Sequence, residues 1–454
     1  MQFLQLIPSH SAEFSTTGTG TNPNIASMMM AMSLPSAIEM VVHAKKQHRL
    51  WWALIPVLFL VAMVMTQCRS GLLATTAILL LYLIVYLKRL NSTWLRATSI
   101  ALILVPILAF VIANTKKTAS QNGRQTIWMI AGEMIQEKPT LGYGYGFFEK
   151  NYNLHQADYF NQAPRSREQR MNATFTNMAY NEYIEQTIMG GVIGGVLFST
   201  LLLSLMVGTW KGRKTQTAPC AGVVAFALMS LFNFTASHPL LLTLLLLYAG
   251  MGIVPAEKIK LAQSKASESK SLESKALTAM GIGILLCIGV LTATSLSRYS
   301  AQKKLTKAEG MLKAGRFHQA GALIEEIQPR IGTSEAFYTL KAQQKYAIAD
   351  SQGMLSGLKE LLELTSNPYL MEELAQLSAS MGLDKEAEAH LIVAKGIEPH
   401  RFGPRVQLMN LYLKQKDTLK ARAAAKEIVE MDIKIPSPKV TAYKQMAQAV
   451  LEQQ

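Results

Sequence analysis

Residues 44–71 read AKKQHRLWWALIPVLFLVAMVMTQCRSG: a basic turn, an apolar run, and a lone arginine at its far end. The run from Leu50 to Thr66 suits a helix crossing a bilayer. Lys45, Lys46 and Arg49 mark its near end as cytoplasmic, because short positive loops stay inside. Arg69 then stands at the opposite, outer boundary. Seven further stretches qualify as spans: 24–43, 71–87, 97–113, 188–209, 218–234, 239–255 and 276–295. Basic connections recur with Lys88, Arg89 and Arg96, then with Lys211, Arg213 and Lys214, and finally with five lysines from Lys258 to Lys275. The turn around His238 carries no Lys or Arg. All the basic turns share one side only if the chain crosses about eight times with both termini outside. Arg69, the polar segment 114–187 and everything after residue 296 are then expected on the extracytoplasmic face.

The chain has 454 residues, half of them apolar, and a net charge of +15. Much of that charge sits in the topogenic loops, and no aromatic-interleaved basic stripe appears, so nucleic acid is not an expected partner. Membrane lipids are. The three cysteines include no CxxC pair and no His at ligand spacing, which argues against a disulfide framework or a zinc site. No cofactor is implied. Residues 1–23 are polar, turn-rich and free of Lys and Arg, so they read as an external loop rather than a signal peptide. Such a start predicts a chain truncated relative to a longer protein.

The predicted fold class is all-α: a polytopic helical membrane domain over 24–255, then a flexible Lys/Ser/Glu-rich linker over 256–275, a last transmembrane helix over 276–295, and an α-solenoid over 296–454. In the solenoid, Lys313–Ala320, Met381–Ala387 and Gln415–Ala421 are related landmarks, with a weaker copy near Gly353. A period of about 34 residues with a small residue at the packing position is the tetratricopeptide (TPR) pattern. Pro329, Pro368 and Pro399 fall where helices would begin or end. Such stacks offer a concave face to a protein partner. Segment 114–187 is too long for a passive connector. Ile127, Trp128, Ile130, Met134 and Ile135 predict a helix within it, Pro139 and Gly142–Gly146 stop that helix, and 174–187 resume a helical pattern into the fifth span.

Candidate chemistry gathers on the outer side. Arg69 could be an interfacial anchor, although the outer face is the wrong one for that. Arg124, one turn before Trp128, could be a solvated helix-start arginine. Converging, the two would form a fork for phosphate oxygens. Gly142, Gly144 and Gly146 could let backbone approach an anion or a sugar, a weak signal by itself. Tyr180, Asn181 and Glu182 stand at the entry to the fifth span, either as an interfacial cap or as acceptor-activating groups. His238 lies in a short outer turn, where a lone histidine is ordinarily solvated.

In order, Arg69-Ser70, Gly123-Arg124 with Trp128, Pro139–Phe147, Ala179–Tyr183 and then Gly190, Gly191 and Gly194 resemble the O-antigen ligase/polymerase (Wzy-type) superfamily across residues 3–255. The resemblance implies a metal-independent membrane glycosyltransferase of the bacterial inner membrane. Such enzymes transfer a glycan from an undecaprenyl-diphosphate carrier to lipid A–core, to another glycan or to a protein, at the periplasmic face. It also implies that Arg69 and Arg124 contact the diphosphate. Where ligases usually carry His before the Asn, this chain has Tyr180, a poor base with an ordinary pKa near 10, so Glu182 is the candidate base. Cys68 replaces the usual Ser before the first arginine. The alternatives are repeat-unit polymerisation, protein glycosylation, or a non-enzymatic TPR scaffold for envelope assembly.

Overall fold

A computed structural model describes Thr17 and residues 22–86, 93–115, 118–212, 216–253, 272–331 and 334–452. Most of the expected loop 1–23 and linker 256–275 lie outside the described residues, as do Lys88, Arg89, Arg213 and Lys214. Among the described residues the chain is helical, with no strand. It divides into two compact units, Met1–Tyr145 with Met178–Ser267, and Gly146–Asn177 with Glu268–Gln454.

The first unit contains α1 (Pro23–His43), α2 (Arg49–Thr66), α3 (Arg69–Tyr86), α4 (Thr93–Thr115) and α5 (Thr118–Glu137). Helices α6 (Phe148–Gln162) and α7 (Arg167–Asn172) belong to the second unit, and α8 (Glu182–Gly212), α9 (Ala218–Ser230) and α10 (Pro239–Ile253) return to the first. Four helices, α1, α2, α3 and α8, are long and apolar enough to cross a membrane. Ile100–Ala113, Ala218–Ser230 and Pro239–Gly252 are apolar but shorter. Helix α9 is the heart of this bundle. It is apolar on every side and almost wholly buried, the pattern of a helix enclosed by others. Met28, Ala31, Met32 and Leu34 of α1, Ala74 and Ile78 of α3, and Val223 and Phe226 of α9 share its core.

Two expected helical stretches are interrupted. The run 218–234 ends as helix at Ser230, and Leu231–His238 form a turn in which Asn233, Phe234 and Thr235 are buried. Residues 173–181 are non-helical, so the fifth span begins at Glu182 rather than continuing a helix from 174. Helix α8 is itself broken at Gly191, whose φ of 65° and ψ of −172° are open essentially to glycine alone. The break frees backbone groups that bilayer core cannot satisfy. The loop 139–145 fills it: the Tyr143 and Gly144 amides donate to Ile188 O and Met189 O, both at 2.9 Å, and the Val192 amide donates to Pro139 O at 2.7 Å.

The second unit begins with α11 (Leu272–Lys313), a continuous 42-residue helix containing the stretch expected to be the last span. Its C-terminal half packs on α12 (Phe317–Ile331) through Ala301, Leu305 and Ala308. There follow α13 (Glu335–Ala347), α14 (Ser351–Leu362), α15 (Pro368–Ser380), α16 (Asp384–Ile397), α17 (Gly403–Lys414), α18 (Thr418–Glu430) and α19 (Pro438–Glu452). Successive hairpins turn at Gly315, Ala349, Gly382 and Lys416, each with positive φ and spaced 33 or 34 residues apart. Each turn closes with the same bond: the amides of Arg316, Asp350, Leu383 and Asp417 donate to Met311, Lys345, Ser378 and Tyr412 carbonyls at 2.9–3.0 Å. This is the left-handed helix stop in which the second residue past the cap reaches back to the last turn. The weak copy sought near Gly353 turns at Ala349, because Gly353 already lies inside α14, where its amide is capped by Asp350.

Segment 146–177 packs into these hairpins. Glu149 Oε1 accepts from the Ser366 amide at 2.9 Å and from its hydroxyl at 2.8 Å. Gln156 Nε2 donates to Ile397 O at 2.7 Å and to Thr174 O at 3.1 Å. Asn153 pairs with both backbone groups of Thr176, and the Phe175 amide donates to Glu398 Oε1 at 3.1 Å. These bonds hold 173–177 out of helical conformation. Gly396 permits the contact, since a Cβ there would lie 2.6 Å from Ala157 O.

Candidate functional site

The site is assembled by the turn between α9 and α10. Arg124 Nη1 donates to Phe232 O at 2.9 Å. Asn233 Nδ2 donates to the hydroxyl of Ser70, next to Arg69. Phe234 meets the Tyr180 ring edge-on with centroids 6.2 Å apart, and the His238 ring lies 6.0 Å from it. The Ala236 amide donates to Glu182 Oε2 at 3.1 Å. Within a few residues, the turn therefore touches the neighbourhoods of all four expected catalytic side chains.

Arg69 is half-buried at the first position of α3. Gln67, with φ of 50°, ends α2 in the left-handed conformation, and its amide donates to Val64 O at 3.2 Å, so α3 starts within two residues. A cation at a helix start adds to the positive end of the helix dipole, an arrangement that favours an anion between them. Arg124 lies 4.9 Å over the Tyr180 ring. Burial, and then the nearby Arg69 guanidinium, push the pKa of Arg124 below the usual arginine value. The two guanidinium groups therefore lie near enough to sense each other's charge in a partly dry site.

Tyr180 has φ of 52°, a left-handed conformation costly for an aromatic residue. Its neighbours hold it there. Trp128 Nε1 donates to Ala179 O at 2.9 Å, and the Ala179 amide donates to Glu185 Oε2 at 2.8 Å. Asn181 Oδ1 caps α8, accepting from the Tyr183 and Ile184 amides at 3.0 and 3.2 Å. Glu182 is buried, and both its oxygens accept hydrogen bonds, Oε1 from Gln186 at 2.9 Å and Oε2 from Ala236.

The glycine run stands apart from this cluster. Gly142 and Gly191 are in tight contact, a Cβ on Gly142 falling 2.2 Å from Ile188 O. The amides of Tyr143 and Gly144 are occupied by α8 carbonyls rather than turned to an anion. Gly190 and Gly194 make room for Tyr145, whose hydroxyl would lie 2.9 and 3.2 Å from an added Cβ. Gly146, with φ of 86°, is uncrowded.

With this geometry the sequence comparison becomes specific. Residues 54–199 match the O-antigen ligase family (Wzy_C). The match spans about a third of the chain, and it contains Arg69, Arg124, the glycine run, and Tyr180 through Glu182. It supports O-antigen-ligase-like glycan transfer by a membrane protein. The turn 231–236 and the repeat hairpins lie beyond it. No curated protein matches the chain. The turn is the part of the site that sequence reading missed. Its signal was Ser230 and Asn233, two polar residues inside the otherwise apolar run 218–234.

The double acceptance by Glu182 makes a prediction. A carboxamide can still accept from Ala236, so Glu182→Gln should keep transfer within roughly tenfold of wild type. Glu182→Ala releases the turn and should cost about 100-fold. Tyr180→Phe, which retains the ring under Arg124, should remain mostly active. Loss of orders of magnitude in Glu182→Gln, with an acidic limb in the wild-type pH profile, would instead make Glu182 the general base.

Proposed function

We propose that this chain transfers a glycan from an undecaprenyl-diphosphate carrier to an acceptor hydroxyl at the extracytoplasmic face of a bacterial inner membrane. The observation that carries the reading is the approach of Arg69 and Arg124 at the 231–236 turn, where Phe232 O holds the Arg124 guanidinium and Asn233 holds Ser70 beside Arg69. Two guanidinium groups suit a departing diphosphate. The acceptor oxygen bonds to the anomeric carbon as the bond from that carbon to the diphosphate oxygen breaks. Lipid diphosphate leaves with the bonding pair, and the hydroxyl proton passes to water. Arg69 and Arg124 stabilise the growing negative charge, while the Tyr180 ring and the Glu182-anchored turn orient the arginines.

The side of the membrane is supported by the second unit. Segment 146–177 and the hairpins after residue 296 are hydrogen-bonded together, so they share one side. The chain between them must cross an even number of times, as the expected four spans do. The hairpin period favours reading this unit as a TPR-like solenoid. Reporter fusions after residue 90 and at 265 should read cytoplasmic, and those at 155 and 450 periplasmic. A cytoplasmic reading at 155 or 450 would refute the proposed side.

A further inference from the structure

The inner helices of the hairpins, α13, α15 and α17, line a continuous groove. A cleft of about 1040 Å³ runs along α13 and α15, and a second of about 800 Å³ continues along α15 and α17, with Gln376 in both. Three exposed carboxamides, Gln343, Gln376 and Asn410, each stand six residues before a hairpin turn, so each successive repeat presents one at the same position. The larger cleft also carries two exposed rings, Tyr346 at 73 % and Tyr369 at 63 % exposure. They are the only exposed large apolar or aromatic side chains among the described residues lining the larger cleft. Arg401 backs one face of Tyr369 at 3.7 Å and is itself tied to Glu372 at 2.6 Å, so that ring is held with its other face open.

We propose that the larger cleft of this groove binds a neutral oligosaccharide. Flat amphipathic rings suit the apolar face of a pyranose, and carboxamides both donate to and accept from hydroxyl groups. A peptide ligand would call for aliphatic sockets, which the larger cleft does not expose. An anionic glycan is disfavoured in the larger cleft, whose lining carries the exposed Glu335 and Glu373 and, among the described residues, no Lys or Arg. A ring held in place before binding lowers the ordering cost. The proposal rests on the glycan-transfer reading only for the source of the oligosaccharide, which is the one being transferred.

The test uses the full chain in lipid nanodiscs and the oligosaccharide released by mild acid from the lipid-linked pool of the producing strain. Saturation-transfer NMR should detect binding to wild type and equally to Arg69→Ala/Arg124→Ala, so the result does not depend on transfer. Tyr346→Ala/Tyr369→Ala should weaken binding about tenfold or more, and Tyr346→Phe/Tyr369→Phe should largely restore it. Both rings are exposed, so the helical melting profile should be unchanged. Absence of saturable binding at millimolar oligosaccharide would overturn the proposal, as would equal affinity in the alanine pair. Displacement of the oligosaccharide by an unglycosylated extended peptide would reassign the groove to peptides.

Discussion

Arg124→Ala and Arg69→Ala should each reduce glycan transfer by about 100-fold or more, in protein that reaches the membrane at normal levels. Both side chains are only partly buried, and neither belongs to the bundle core around α9, so their loss should leave the fold intact. Arg124→Lys should rescue little. One guanidinium nitrogen holds Phe232 O while the planar group lies over Tyr180, and a single ammonium cannot make both contacts and still face a diphosphate. Normal transfer by both alanine variants would leave the paired charges without a catalytic role.

Gly191→Ala should have the largest effect on folding. An added Cβ would fall 1.9 Å from Thr140 O and 2.2 Å from Thr140 C, in a backbone conformation that alanine does not tolerate. Strain and overpacking together should cost roughly 3 kcal/mol or more. The loop would be expelled, leaving Ile188 and Met189 carbonyls unpaired in α8. The expected readout is loss of monodisperse protein on extraction together with loss of transfer. Gly132→Ala is the matched control. Nothing lies within 4 Å of its Cβ position, so it should be neutral or slightly stabilising. A Gly191→Ala protein as stable and active as Gly132→Ala would show that the loop does not seal the break.

Hydropathy made the apolar helices legible, four of them long and apolar enough to cross a membrane, and helical spacing predicted the face of α5, where Ile130 and Met134 are fully buried. The repeat period was readable because it is set locally, by residues that stop each helix in the left-handed conformation. The pairing of Arg69 with Arg124 was read as a convergence, yet nothing in the sequence said what brings them together. That is done by the 231–236 turn, through Phe232 O on Arg124 and the Asn233 side chain on Ser70, and a backbone carbonyl leaves no residue-type signature. The non-helical run 174–177 was read as helix because its partners, Asn153, Gln156 and Glu398, are distant in sequence. For the same reason segment 146–177 looked like part of a single outer loop, although its polar side chains are matched to hairpins some 200 residues later.

The glycine run shows how a motif can be noticed for one chemistry and used for another. Its flexibility lets loop 139–145 enter α8, where its amides replace bonds lost at Gly191. Gly190, Gly191 and Gly194 are the other half of that fit. The two glycine clusters are therefore one structural device, and the arginines belong to a separate one built on the 231–236 turn.

The most direct measurement is release of undecaprenyl diphosphate by the purified chain. The chain would be placed in phospholipid vesicles with the lipid-linked glycan pool of the producing strain and an acceptor fraction from the same envelope. The account predicts release of the lipid diphosphate in step with glycan transfer to the acceptor, without added nucleotide sugar, and loss of both in Arg69→Ala/Arg124→Ala. Release at the same rate in the double variant, or transfer that requires a nucleotide sugar, would contradict it.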